Sequence, residues 1–93
     1  MQSDRVIRRR VVVRGQVQGV FYRDTCRRQA RSWQVVGWVR NNDDGTVEAV
    51  FEGEEDAVTA LVDWAHQGPA GARVTGVEVT EEKPEGLGGF RVI

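Results

Sequence analysis

The chain has 93 residues, 40% of them apolar and 29% charged, with 13 basic against 14 acidic side chains and a formal net charge of −1. A chain of this size supports one domain with one thin core, and its balanced charge excludes the broad basic footprint of a general nucleic-acid binder. The single cysteine, Cys26, excludes an intrachain disulfide and a paired-thiol metal or redox centre, and no apolar run is long enough for a membrane helix, so a cytoplasmic location without membrane partners is expected.

Arginines crowd the first half, from Arg5 to Arg40, and acids crowd the second. Such asymmetry more often marks two differently solvated faces than an anion site. Residues 1–5 read as a loose leader to a single domain spanning 1–93. Residues 6–14 place Ile7, Val11 and Val13 on one face and Arg8, Arg10, Val12 and Arg14 on the other, the alternation of a half-buried strand. Residues 15–23, "GQVQGVFYR", form a glycine-bracketed loop. Residues 22–33 then carry Tyr22, Cys26, Ala30 and Trp33 at helical spacing.

Residues 35–41 and 46–52 read as two strands, with Asp44-Gly45 between them as a tight-hairpin signal. Residues 54–66 form a second amphipathic helix with an acidic first turn, and "QGPAG" stops it. Residues 73–81 are a fourth strand, "KPEGLGG" a turn and "FRVI" a short C-terminal strand. The order β-α-β-β-α-β predicts an α+β, ferredoxin-like sandwich: an antiparallel sheet with two helices on one face. That plan by itself implies no particular activity.

The opening loop carries the chemistry. Gly15 and Gly19 let the backbone turn sharply, so that successive amides converge on an anion. The following helix adds its free N–H groups and the positive end of its dipole, and Arg23 in its first turn offers a bidentate fork. Spacing excludes both a P-loop and a dinucleotide fingerprint. From spacing alone, Arg14 and Arg40 serve as well as Arg23.

Two segments together resemble the acylphosphatase family. Gly15-Gln16-Val17-Gln18-Gly19-Val20-Phe21-Tyr22-Arg23 matches its first signature, and "GWVRNNDDGTVE", Gly37 to Glu48, matches its second. The likeness continues through Gln67 to Val74 and Gly89 to Ile93. Tyr22 stands where phenylalanine is commoner, and Ser32-Trp33 where Leu-Gly is frequent; both bear on packing beside the site.

The resemblance implies metal-independent, cofactor-free hydrolysis of carboxyl-phosphate anhydrides. The phosphate would sit on the amides of Gln16, Val17, Gln18, Gly19 and Val20. Arg23 would bind its oxygens and Asn41 would orient the attacking water. The chemistry is consistent, because a carboxylate with a parent pKa near 4 leaves without a strong general acid. The implied partner is a small acyl phosphate, the implied state a monomer. His66, Cys26, Asp43 and Asp44 read as helix-end, core and turn residues, and Trp38 and Trp64 as core. Trp33 either flanks the site or caps the helical stripe. A ligand-sensing module that holds an anion without catalysis, and a carbamoyl-phosphate hydrolase domain, are the competing readings.

Overall fold

The alternation in the first strand sets the frame for everything that packs on it. A computed structural model describes residues 5–93, in the order β1 (Val6–Gln16), α1 (Tyr22–Ser32), β2 (Val36–Asn41), β3 (Val47–Glu54), α2 (Glu55–Gln67), β4 (Arg73–Glu82) and β5 (Phe90–Val92). Of the expected leader, residues 1–5, the first four lie outside the described residues. Arg5 is held to the fold, since its carbonyl accepts from the Glu55 amide at 2.9 Å.

Strand order in the sheet is β4-β1-β3-β2-β5. Val11 and Val13 of β1, Val47, Ala49 and Phe51 of β3, and Val39 of β2 form the face under the helices. Cys26 and Ala30 of α1 and Val58 and Leu61 of α2 close onto it. Tyr22 joins the two helices, its hydroxyl donating to the Ala65 carbonyl at 2.8 Å while its ring packs against Trp64. The fold is thus the expected ferredoxin-like sandwich.

One feature of the sheet differs from expectation. Strands β1 to β4 pair antiparallel, but β5 lies parallel to β2, so the sheet is mixed. The reason is the route of the chain. Residues 83–89 must carry it from one sheet edge, β4, to the other, beside β2. Four strand spacings amount to about 19 Å, within the reach of about 23–25 Å of an extended segment of that length. Midway, the Glu52 carboxylate on β3 accepts from the amides of Glu85, Gly86 and Leu87 at 2.7, 2.9 and 3.1 Å.

The face of the sheet away from the helices explains the charge asymmetry of the sequence. Antiparallel pairing lays the basic β1 between the acidic β3 and β4. Arg8, 4% exposed, faces Glu52, Glu82 and Glu85, and Arg10 binds Glu48 and Glu82. Arg9 points to the other side and meets Glu81.

Trp38 belongs to this ionic face, not to the core where the sequence places it. Its neighbour Val39 takes the helix-facing position, and the ring lies under the guanidiniums of Arg10 and Arg40, at 5.3 and 5.1 Å. Val50, between Arg10 and Trp38 in the register, is fully buried by them. Trp33 is 48% exposed at the C-terminal end of α1. Ten residues of helix put it about 15 Å from Arg23, so it does not flank the loop. Among the described residues, no helix is long and apolar enough to cross a membrane.

Three carboxylates of the ionic face are held below their usual range. Burial pushes the Glu48 carboxyl up, but hydrogen bonds from Arg10, Arg40 and Asn42 outweigh it and hold it below the usual range. Burial acts on Glu52 in the same way and is outweighed by the amides of Glu85, Leu87 and Gly86. Hydrogen bonds from Arg10 and Arg8 lower Glu82. A depressed carboxylate stabilises the fold in full above its unfolded value, about 4.3, and loses that contribution as pH falls through the lower folded value. The urea midpoint is therefore expected to stay level from about pH 7 to about pH 5 and to fall steeply below about pH 4. A midpoint that holds level to about pH 3 would remove these carboxylates from the stability of the fold.

Candidate active site

Topology brings the two signature segments to one rim. Strands β1 and β2 both run antiparallel to β3 and flank it, so their C-terminal ends emerge on the same side, about 10 Å apart. The glycine loop leaves the first of these ends, and Asn41 is the last residue of the second. The end of β5 reaches the same rim because it runs parallel to β2.

The turn out of β1 begins with a break in register between Arg14 and Gly15 against β4. Gly15 has φ 121°, and a Cβ there would come within 2.0 Å of the Arg73 carbonyl oxygen. Only glycine lets β1 approach β4 this closely while turning. Gly19 has φ 75°, the left-handed region that side chains avoid. Among the described residues, no backbone carbonyl accepts from the amides of Gln18, Gly19 or Val20. Three donors are thus left at the mouth of α1, where the helix dipole adds positive potential.

The turn is fixed in space by a side chain. Gln18 Nε2 donates to the carbonyls of Asn42 and Thr46, at 2.8 and 2.9 Å, across the base of the β2–β3 hairpin. The hairpin is itself rigid. The Asn42 amide donates to the Thr46 carbonyl at 2.8 Å, and the Gly45 amide to the Asn42 carbonyl at 3.2 Å. Asp44 Oδ1 accepts from the Thr46 amide and hydroxyl at 3.0 and 2.7 Å, hydrogen bonds that lower its carboxyl below the usual range. Asp44 is therefore engaged in turn chemistry.

Between the turn and start of α1 and the ends of β2 and β5 lies a cavity of about 370 Å³, lined by Val17, Gly19, Arg23 and Asn41 together with Phe21, Tyr22, Asp24, Arg27 and Val92. Among the described residues, no carboxylate or carbonyl pairs with Arg23. Asp24, its neighbour, is taken up by Arg27 at 2.9 Å and Arg28 at 3.2 Å. Asn41 Oδ1 is buried without a hydrogen-bond partner.

The other sequence-named residues distribute as follows. Gln16 ends β1, paired with Arg73, and Val20 packs against the core. Gln18 contributes its side chain to the hairpin clamp, a role the sequence conceals because the hairpin lies more than twenty residues away. Phe21, Asp24, Arg27 and Val92 also went unrecognised as cavity residues; Phe21 alone carries a local signal, a bulky residue where the chain must leave its turn. Arg14 and Arg40 pair with Glu78 and Glu48, and neither lines the cavity.

The remaining nucleophilic and titratable groups lie elsewhere. Cys26 is fully buried, and burial pushes its thiol up. His66 sits exposed in the last turn of α2, with Nδ1 2.8 Å from the Val62 carbonyl oxygen. Among the described residues, no three His, Cys, Asp or Glu side chains cluster as a metal site.

Comparison with known proteins agrees with this geometry. The family model described as acylphosphatase matches residues 9–92. An acylphosphatase of Thermococcus kodakarensis is 56% identical over 87 residues, covering 94% of this chain and 96% of that one. An acylphosphatase of Rubrobacter xylanophilus is 57% identical over 94 residues, covering 99% and 86%. The solved structure of an acylphosphatase from Coxiella burnetii superposes with a TM-score of 0.91 at 40% identity, covering 95% of this chain and 93% of that one. With the likeness running from β1 through β5, in sequence and in backbone, this chain belongs to the acylphosphatase family of enzymes.

Proposed function

We propose that this enzyme hydrolyses the carboxyl-phosphate bond of acyl phosphates with a metal-independent site built from one loop, one guanidinium and one amide. The amides of Gln16 to Val20 and the Arg23 guanidinium hold the phosphoryl oxygens, and Asn41 holds the attacking water. The water oxygen bonds to phosphorus as the bond from phosphorus to the acyl oxygen breaks. The bonding pair leaves with the carboxylate, one water proton stays on the phosphate and the other passes to solvent.

The observation that carries this reading is the meeting of Arg23 and Asn41 in the lining of one cavity. The Asn41 side chain is an amide, able both to donate to and to accept from a water beside the phosphoryl group. Phosphoryl transfer needs charge stabilisation and an aligned nucleophile more than covalent help, and a carboxylate leaving group needs no strong acid. All the groups come from one chain, so one domain acting as a monomer suffices. The arginines of β1 are taken up by carboxylates, which leaves no basic strand face for nucleic acid.

Phosphate release from acetyl phosphate and benzoyl phosphate, measured in a chelator, tests the reading directly. Wild type is expected to turn over both at rates the chelator leaves unchanged. Arg23→Ala is expected to lose about 2.7–4 kcal/mol of barrier lowering, a fall of roughly 100- to 1,000-fold in kcat/KM. It should also lose competitive inhibition by inorganic phosphate. Asn41→Ala is expected to lower kcat with little change in KM, because its partner is the water and not the ground-state phosphate. Normal turnover by Asn41→Ala would refute that role. Gln18→Ala removes two hydrogen bonds that position the turn, each contributing about 1 kcal/mol. It should lower kcat/KM by about tenfold or more and leave the far-ultraviolet circular dichroism of the fold unchanged. Wild-type kinetics in that variant would separate the clamp from catalysis.

A further inference from the structure

The cavity is larger than a phosphate requires, and part of its lining is apolar. Its volume of about 370 Å³ falls within the range of small-molecule sites, roughly 300–1,000 Å³. Beside the polar groups stand Phe21, Tyr22 and Val92. The Tyr22 hydroxyl is committed to Ala65, so this residue offers the cavity only the carbon of its ring.

Phe21 is the anomalous member. It is 82% exposed, the most exposed large hydrophobic residue described. Its backbone is left-handed, with φ 62° and ψ 23°, a conformation that favours glycine or asparagine. It is also the N-cap of α1, where serine, threonine, aspartate and asparagine are preferred, and it makes no side-chain cap. Its carbonyl starts the helix by accepting from the Thr25 amide at 3.0 Å, so the position is fixed. A phenylalanine here violates two local preferences and gains no core burial in return. Local conflict of this kind is a mark of functional positions.

We propose that Phe21, with Val92, forms the subsite for the acyl group, and that the enzyme favours acyl phosphates with an aromatic or bulky apolar acyl chain. The proposal rests on the phosphate being held beside Arg23, which leaves the acyl group to extend along the rest of the same lining. An aromatic acyl group packs on the exposed Phe21 ring and removes both surfaces from water. Acetyl, a single methyl group, covers little of it.

The test is the ratio of kcat/KM for benzoyl phosphate to that for acetyl phosphate, in wild type and in Phe21→Asn, Phe21→Ala and Phe21→Leu. Asparagine suits the backbone conformation and removes the apolar surface; leucine keeps apolar surface. Wild type is expected to favour benzoyl phosphate by about tenfold, the factor that burying some tens of Å² of apolar surface yields. Phe21→Asn and Phe21→Ala are expected to lose most of that preference, chiefly through KM for benzoyl phosphate, and Phe21→Leu to keep most of it. A wild-type ratio near one, or a ratio that survives in both Phe21→Asn and Phe21→Ala, overturns the subsite while hydrolysis itself stands. Failure of wild type to release phosphate from either compound overturns the reading of the phosphate site beneath it.

Discussion

The site depends on one side-chain amide. Gln18 reaches from the glycine turn to two carbonyls of the β2–β3 hairpin, and so ties the segment after β1 to the segment that carries Asn41. The turn has conflicting needs. It must adopt backbone conformations open chiefly to glycine, at Gly15 and Gly19, yet glycine loses more conformational freedom on ordering than any other residue. On the proposed reading, amides kept free for an anion also cannot pair within the turn itself. The restraint therefore has to come from outside, through a bond that leaves those amides unused. A side-chain NH₂ donating to carbonyls across the gap does this. Preorganised donors lower a barrier because they need no reorientation as charge develops.

The ionic face of the sheet determines which arginine is available. Arg8, Arg10, Arg14 and Arg40 face carboxylates delivered by the neighbouring strands. Arg27 and Arg28 share Asp24. Positive charge is abundant in the chain, but its field is cancelled locally, and Arg23 remains the cavity guanidinium without a described carboxylate partner. The same pairing shields Val50 and the Trp38 ring on a face that no helix covers. One set of interactions thus closes the uncovered face of a thin domain and takes up Arg10, Arg14 and Arg40 outside the cavity lining.

Much of this was legible in the residues. Val11, Val13, Cys26, Ala30, Val58 and Leu61 repeat with the periods of strand and helix, and they form the core. The glycine turn was legible because its signal is local, whereas Asn41 was named only through the resemblance to the acylphosphatase family. What escaped depends on pairing between distant segments. Trp38 reads as core in isolation, since nothing nearby reveals that Arg10 would stack on it from another strand. Gln18 reads as one more loop residue until the hairpin lies beside it. The parallel placement of β5 follows from where a seven-residue crossing can end, which local periodicity does not encode. Trp33 continues the spacing of Tyr22, Cys26 and Ala30, but α1 ends at Ser32 and leaves it outside.

The cavity also bears on substrate class. Among the described residues lining it, Asp24 is the only carboxylate, and two arginines occupy its oxygens. His66 and Cys26 lie outside the lining. On the proposed reading, no group is placed to protonate a leaving oxygen, so the leaving group must bear its own negative charge. A carboxylate, with a parent pKa near 4, does so readily. An alkoxide from a phosphate monoester does not, and uncatalysed hydrolysis of such esters is among the slowest reactions known. Selectivity between the two classes then comes from what the cavity lacks as much as from what it binds. An apolar acyl subsite at Phe21 is compatible with that chemistry, because the carboxylate charge develops on the oxygen beside phosphorus while the acyl substituent stays neutral against the ring.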